Sequence, residues 1–220
     1  MYATAIEAHR RWARTYDSRP NPLLALEQRV LTGALPAAAV FLDVACGTGR
    51  WMRYFAGRGA TVFGIDACEE MLREAGTPLR DRLALADATA LPFASETADL
   101  SLCSFAAGYI ADLSAAIREM ARVTRTGGRV IISDLHPKAL AAGWTRSFRD
   151  AEGVCEIASH ARSEAQLRAM GWAAGLQLER ELSNSFAEPE RPIFAASGKE
   201  HLFEEVSLIP AVWTGIWKRI

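Results

Sequence analysis

The chain has 220 residues, half of them hydrophobic and 23% charged. That is a globular composition with enough apolar material for a core, which excludes a disordered chain. Lys and Arg number 25 against 26 Asp and Glu, a net charge of −1, so the basic excess of a phosphate-backbone binder is missing.

Two helices are predicted first, over 3–16 and 23–35, separated by Arg19-Pro20-Asn21-Pro22. A short apolar strand follows at 39–45, then a glycine turn, CGTGR, and a helix to Ala56. ATVFGID (60–66) reads as a second strand ending on an acid, followed by a helix at about 68–75. RLALAD (82–87) is a third strand, again ending on an acid, and ADLSLCSF (98–105) a fourth. Asp112 is placed to cap the next helix, Gly127-Gly128 to stop it, and RVIISDL (129–135) is a fifth strand. Arg146–Ile157 reads as a hairpin with Glu152-Gly153 at its turn. Ser163 and Gln166 form a capping box, and Gly175 ends that helix. LQLERELSNSF (176–186) and PIFAASG (192–198) read as two last strands, paired antiparallel because no crossover helix separates them. An amphipathic tail then carries Trp213 and Trp217. Strands alternating with helices over short connections predict an α/β fold, a mostly parallel sheet with helices on both faces.

The glycine turn at Asp43-Val-Ala45-Cys46-Gly47-Thr-Gly49-Arg50 is a weak signal by itself, since any strand-to-helix turn can use glycine. Its sequels strengthen it. Asp66, at the end of the second strand, suits the two hydroxyls of a ribose. Asp87, at the end of the third strand, is placed to read the amino edge of an adenine. These three features stand on consecutive strand ends, where open parallel sheets bind ligands. The dinucleotide fingerprint fails, because Ala45 and Arg50 stand at its first and third glycine positions, and no P-loop sequence occurs.

LDVACGTGR, VFGIDACEEML, LALADATALPF, ADLSLCSFAAGYI and RTGGRVIISD together resemble the ordered motifs of class I S-adenosylmethionine-dependent methyltransferases of the small-molecule type. That group includes the ubiquinone- and menaquinone-biosynthesis methyltransferases. The resemblance covers about residues 38–135 and, more loosely, the chain to 198. It implies a Rossmann-like seven-stranded sheet with an antiparallel last strand, and S-adenosyl-L-methionine as cofactor with S-adenosyl-L-homocysteine as product. It also implies roles. Asp43, Ala45, Cys46, Gly47 and Gly49 belong to the turn under the methionine part. Asp66 holds the ribose, with Ala67 and Met71 near the adenine, and Asp87 and Ala88 read the base. Cys103 offers its backbone carbonyl to the cofactor's amino group. Tyr16, in the Tyr16-Asp17 pair that near relatives carry on a segment folded over the cofactor, is a catalytic candidate that closes the site against water; the alternative is a helix-end aromatic packed on the sheet. Many relatives carry a histidine where this chain has Gly108.

Methyl transfer needs alignment first, worth about 7–11 kcal/mol of barrier, and a base only where the acceptor must lose a proton. His136, just past the fifth strand, is the expected base, with Asp134 a weaker candidate. Trp144, Phe148 and His160 are the expected acceptor-pocket residues, within or beside an irregular 136–162 segment. Trp12 and Trp51 are further candidate walls, and Arg146, Arg149 and Arg162 read as solvated charges. The chain is expected to be one domain: a helical cap (1–37), a cofactor core (38–135), a specificity insert (136–162) and a C-terminal region (163–220).

The four cysteines form no C-x-x-C pair, and no metal site is expected. The start is polar and the longest charge-free stretches run to a dozen residues, short of the roughly 20 that a spanning helix needs. The expectation is a cytoplasmic monomer or homodimer acting on a small molecule, with neither nucleic acid nor membrane as partner. The alternative is a non-catalytic cofactor-binding or partner-activating subunit on the same fold. A nucleic-acid methyltransferase is disfavoured by the charge balance and by Ser104-Phe105-Ala106-Ala107 after the fourth strand.

Overall fold

The computed structural model describes residues 2–18 and 20–220. The chain opens with β1 (Tyr2–Ala3), α1 (Ala5–Trp12) and α2 (Pro22–Thr32). It continues through β2 (Val40–Val44), α3 (Arg50–Ala56), β3 (Thr61–Asp66), α4 (Glu69–Glu74), β4 (Leu83–Leu85) and β5 (Ala98–Ser104). Then come α5 (Leu113–Val123), β6 (Thr124–Leu135), α6 (Pro137–Ala141), β7 (Ser147–Asp150), β8 (Gly153–Ile157) and α7 (Glu164–Ala173). The last elements are β9 (Leu176–Asn184), α8 (Arg191–Ala196), α9 (Phe203–Ser207) and β10 (Val212–Arg219).

Seven strands form one sheet in the order β4-β3-β2-β5-β6-β10-β9. The first five are mutually parallel, and β10 lies antiparallel between β6 and β9. This is the Rossmann-like class I arrangement, with the strand order reversing between β2 and β5. Both faces are covered. Ile117 and Met120 of α5 pack with Leu167 of α7 and with Trp213 and Trp217 on one side. Trp51, Met52 and Phe55 of α3 pack with Leu31, Phe41, Ile131 and Ile216 on the other. Among the described residues, no helix is long and apolar enough to cross a membrane.

Several elements differ from the sequence reading. The 192–198 segment is not a strand: it carries most of α8 and the turn that ends it. Pro192 sits in the first turn of α8, where its missing N–H costs nothing, and the Ala-Ala pair that follows favours helix. The antiparallel last strand is instead the Trp-bearing tail, 212–219. Its Trp213 and Trp217 are fully buried, each contributing on the order of 4 kcal/mol by area burial. Likewise α5 ends at Val123, before Gly127-Gly128, because Thr124 already adopts extended backbone at the start of β6.

The hairpin β7–β8 forms where it was expected, and α7 opens on the Ser163–Gln166 capping box. The hairpin gains a third strand, because β1 pairs parallel with β8. The N-terminal segment and the 136–162 insert thus make one small unit beside the main sheet. Ala8, Phe148, Cys155 and Ile157 form its core, and Phe148 stacks on Trp12 with ring centroids 5.1 Å apart. Arg11 ties α1 to the hairpin through Asp150 and Glu152.

Candidate active site

A cleft of about 430 Å³ opens at the carboxyl ends of β2, β3, β4 and β5, where the reversal of strand order leaves room. Ala45 and Gly47 form one wall, Asp66, Ala67 and Met71 a second, and Asp87 and Ala88 a third. Ser104, Phe105 and Ala106 carry the end of β5 into it. The small unit roofs it with Ile6, His9 and Tyr16.

The strand ends are held in unusual backbone. Gly47 has φ +55°, and a Cβ there would stand 3.2 Å from the Met71 methyl carbon. Ala45 (φ 58°) and Phe105 (φ 52°) take the same left-handed region without glycine's freedom. Such strain persists only where the surroundings impose it, and both residues line the cleft.

Asp66 is anchored by two backbone donors. The Gly47 N–H donates to Oδ2 and the Cys68 N–H to Oδ1, each at 2.8 Å. Burial pushes its carboxyl up, and these donors oppose the shift. Asp87 is the opposite case. The Thr89 N–H and hydroxyl donate to Oδ1 at 2.8 and 2.7 Å and hold it below the usual carboxylate range. Burial raises the Tyr16 phenol well above its ordinary value, so it remains a neutral donor.

Beneath the cleft lies a polar cluster that the sequence reading missed. Glu27 of α2 is fully buried. It accepts from Arg50, from Ser133 Oγ and from Ser104 Oγ, the last at 2.7 and 2.8 Å. Trp51 Nε1 donates to it at 3.3 Å. The Arg50 guanidinium also lies over the Trp51 ring, 4.8 Å from its centroid, and its buried Nη1 has no protein partner. Arg50 therefore points towards α2 and leaves the strand free. Asp43 is buried beside this cluster, and desolvation lifts its carboxyl to about 8 against the pull of Arg50.

Several expected site residues stand elsewhere. Asp43, Cys46, Gly49 and Cys103 lie behind the cleft wall; Cys103 is fully buried, and 104–106 take the strand-end position. His136 is fully buried outside the cleft. Its Nδ1 accepts the Lys138 N–H at 3.0 Å as the cap of α6, so the proton sits on Nε2, which faces Ser183 Oγ at 3.0 Å and Glu164 at 3.4 Å. A neutral His136 so held has no free lone pair and does not face the cleft, which corrects its expected place as a base. Trp144 stacks on Phe186 in a separate cluster, and Phe148 is turned onto Trp12. The His160 side chain is exposed, while its N–H donates to the Gly108 carbonyl at 2.7 Å.

Two of the three insert arginines are not solvated charges. Arg146 is buried and pairs with Asp134 at 2.6 Å, while the Gly108 N–H donates to the other Asp134 oxygen at 2.6 Å. A Cβ at 108 would stand 2.6 Å from Arg146 Nη2, so the guanidinium fills the space that a larger residue needs. Arg162 donates to the carbonyls of Ala107, Ile110 and Ala111 at 2.6–3.0 Å and ties the insert to the end of β5. Arg149 is exposed as expected. Of the cleft residues that the sequence reading passed over, His9 had a signal. His9, Trp12 and Tyr16 stand at helical spacing, i, i+3 and i+7, on one face.

Residues 42–132 match the family described as "Methyltransferase domain". The chain is 33% identical over 146 residues to the malonyl-[acyl-carrier protein] O-methyltransferase of Erwinia pyrifoliae, covering 64% of this chain and 56% of that protein. It is 39% identical over 130 residues to the demethylmenaquinone methyltransferase of Mycobacterium marinum, covering 56% and 55%. The chain spans about half the length of the curated relatives it matches. An S-adenosylmethionine-dependent methyltransferase structure from Mesorhizobium loti superposes with a TM-score of 0.69 at 22% identity, over 90% of this chain and 100% of the other.

Proposed function

Because residues 42–132 match the methyltransferase-domain family and the fold is that of class I methyltransferases, we propose that this chain transfers a methyl group from S-adenosyl-L-methionine to a small-molecule acceptor. The observation that carries the reading is the meeting of the Gly47 turn, Asp66 and Asp87 in one cleft at consecutive strand ends.

The residues present fit this cofactor. The Asp66 oxygens accept the Gly47 and Cys68 N–H groups, and a carboxylate's roughly four acceptor sites leave room for the ribose hydroxyls. Asp87, held ionised by Thr89, has its second oxygen for an adenine amino group. The orphaned Nη1 of Arg50 suits the cofactor's carboxylate, since Ser104 both lines the cleft and accepts from Arg50 at 3.1 Å. When bound, the cofactor supplies a methyl carbon activated by a positively charged sulfur. The chain's own work is then alignment and exclusion of water. The roof formed by Ile6, His9 and Tyr16 serves that exclusion. The same reading makes the protein a cytoplasmic monomer or homodimer, acting on no nucleic acid, in keeping with a net charge of −1.

A panel of small acceptors incubated with methyl-labelled S-adenosyl-L-methionine tests the reading. Label is expected to transfer to at least one small molecule. Transfer to none, together with no calorimetric response to S-adenosyl-L-homocysteine, rejects it.

A further inference from the structure

His9 is a histidine of α1 that lines the cleft. Its Nδ1 lies 2.7 Å from the Ala5 carbonyl oxygen. A carbonyl only accepts, so Nδ1 carries the hydrogen and a neutral ring has its lone pair on Nε2. Among the described residues, no group of the chain bonds Nε2. The ring is held in place by neighbours. Tyr109 meets it edge-on with centroids 5.0 Å apart, Trp12 stacks at 6.1 Å and Tyr16 lies tilted at 6.4 Å.

Burial and charge around the ring favour its neutral form. Burial pushes the imidazole below its ordinary value, Asp66 raises it and Arg146 lowers it. Arg146 in turn lies over the Tyr109 ring, 4.9 Å from its centroid, and is fixed by Asp134. His9 thus sits between the ribose-side acid and the Tyr109–Arg146 wall. The base that His136 cannot supply has its geometry here.

Resting on the methyl-transfer reading, we propose that His9 Nε2 is the general base of the reaction, and that the acceptor is an uncharged alcohol or phenol with an apolar body. The acceptor O–H bond breaks and its proton passes to Nε2. The oxygen's electron pair forms the new bond to the methyl carbon, and the carbon–sulfur pair leaves on sulfur as a neutral thioether. A carboxylate or thiolate acceptor carries no such proton and needs no base. The apolar body is called for by Ile6, Phe105 and Ile110, which line the cleft.

Three readouts test this. Calorimetry with S-adenosyl-L-homocysteine is run on the wild type and on His9→Asn, whose amide keeps a donor towards the Ala5 carbonyl. No binding by the wild type overturns the methyl-transfer reading, and this proposal with it. Near-equal binding by both proteins isolates His9 from cofactor capture. Labelled methyl transfer is then measured against pH over phenols, aliphatic alcohols and carboxylic acids. The expected result is methylation of a hydroxyl compound, with kcat lowered roughly 100-fold in His9→Asn and its pH break abolished. Unchanged kcat, methylation confined to carboxylic acids, or no turnover while the cofactor product binds overturns the proposal. Finally, ¹⁵N ring resonances of the wild type report the tautomer without a variant. A protonated Nδ1 and bare Nε2 are expected, and a protonated Nε2 overturns it.

Discussion

The wall and the roof of the cleft are built by different rules. The wall comes from the ends of four adjacent parallel strands, so its residues occupy positions that strand length and turn geometry dictate. The roof comes from α1 and a three-stranded unit that joins the two ends of a long stretch of chain, residues 2–3 with 147–157. Its residues are placed by tertiary contact alone: Phe148 on Trp12, Arg11 on the hairpin, Arg162 on the carbonyls after β5. A wall of this kind is legible as a motif. A roof of this kind is legible only once its partners are known.

The largest effect expected from breaking the wall lies beneath it. Glu27→Ala leaves the Arg50 guanidinium without its carboxylate and strips Ser104, Ser133 and Trp51 of an acceptor. Denaturant unfolding is expected to show a loss of about 3 kcal/mol; a loss under 1 kcal/mol means the cluster does not brace the wall. Asp43 gives the next effect. Its folded carboxyl is raised to about 8 from 3.8, so the native state holds a proton that the unfolded state releases. Wild-type stability therefore falls as pH rises between those values, by on the order of 1 kcal/mol per pH unit. Asp43→Asn is expected to flatten that slope, and an unaltered slope removes Asp43 from the account.

The roof is tested by Phe148→Ala. Losing the stack on Trp12 is expected to cost about 1–3 kcal/mol locally, seen as faster hydrogen exchange in 2–12 and 147–157 with little change in the main sheet. Equal acceleration in β2 and β5 means that roof and wall are one cooperative unit. The smallest change is at Ala45. Relief of its left-handed backbone makes Ala45→Gly stabilising by about 0.5–1 kcal/mol. A destabilised variant shows that the site stores no strain there.

The same contrast decides what the sequence could tell. The parallel strands, the glycine turn and the acids Asp66 and Asp87 stand out because period and punctuation place them. The last strand was missed because Trp213 and Trp217, four apart, share a face in a helix and in a strand alike. PIFAASG misled for the related reason that a short apolar run carries no decisive period. His136 looked like a cleft residue because it follows a strand end, yet the chain turns there into α6 and spends Nδ1 as its cap. His9 and Glu27 owe their importance to long-range contacts with Tyr109, Arg50 and Ser133, which no local pattern encodes.

The central claim, that the strand-end wall holds an S-adenosyl cofactor, is met most directly by calorimetric titration of S-adenosyl-L-homocysteine into the wild type and Asp66→Ala. The account predicts a saturable one-site isotherm for the wild type and at least about 100-fold weaker binding for the variant, the loss of two hydrogen bonds to a charged group. Equal affinity in the two proteins, at unchanged folded stability, contradicts it.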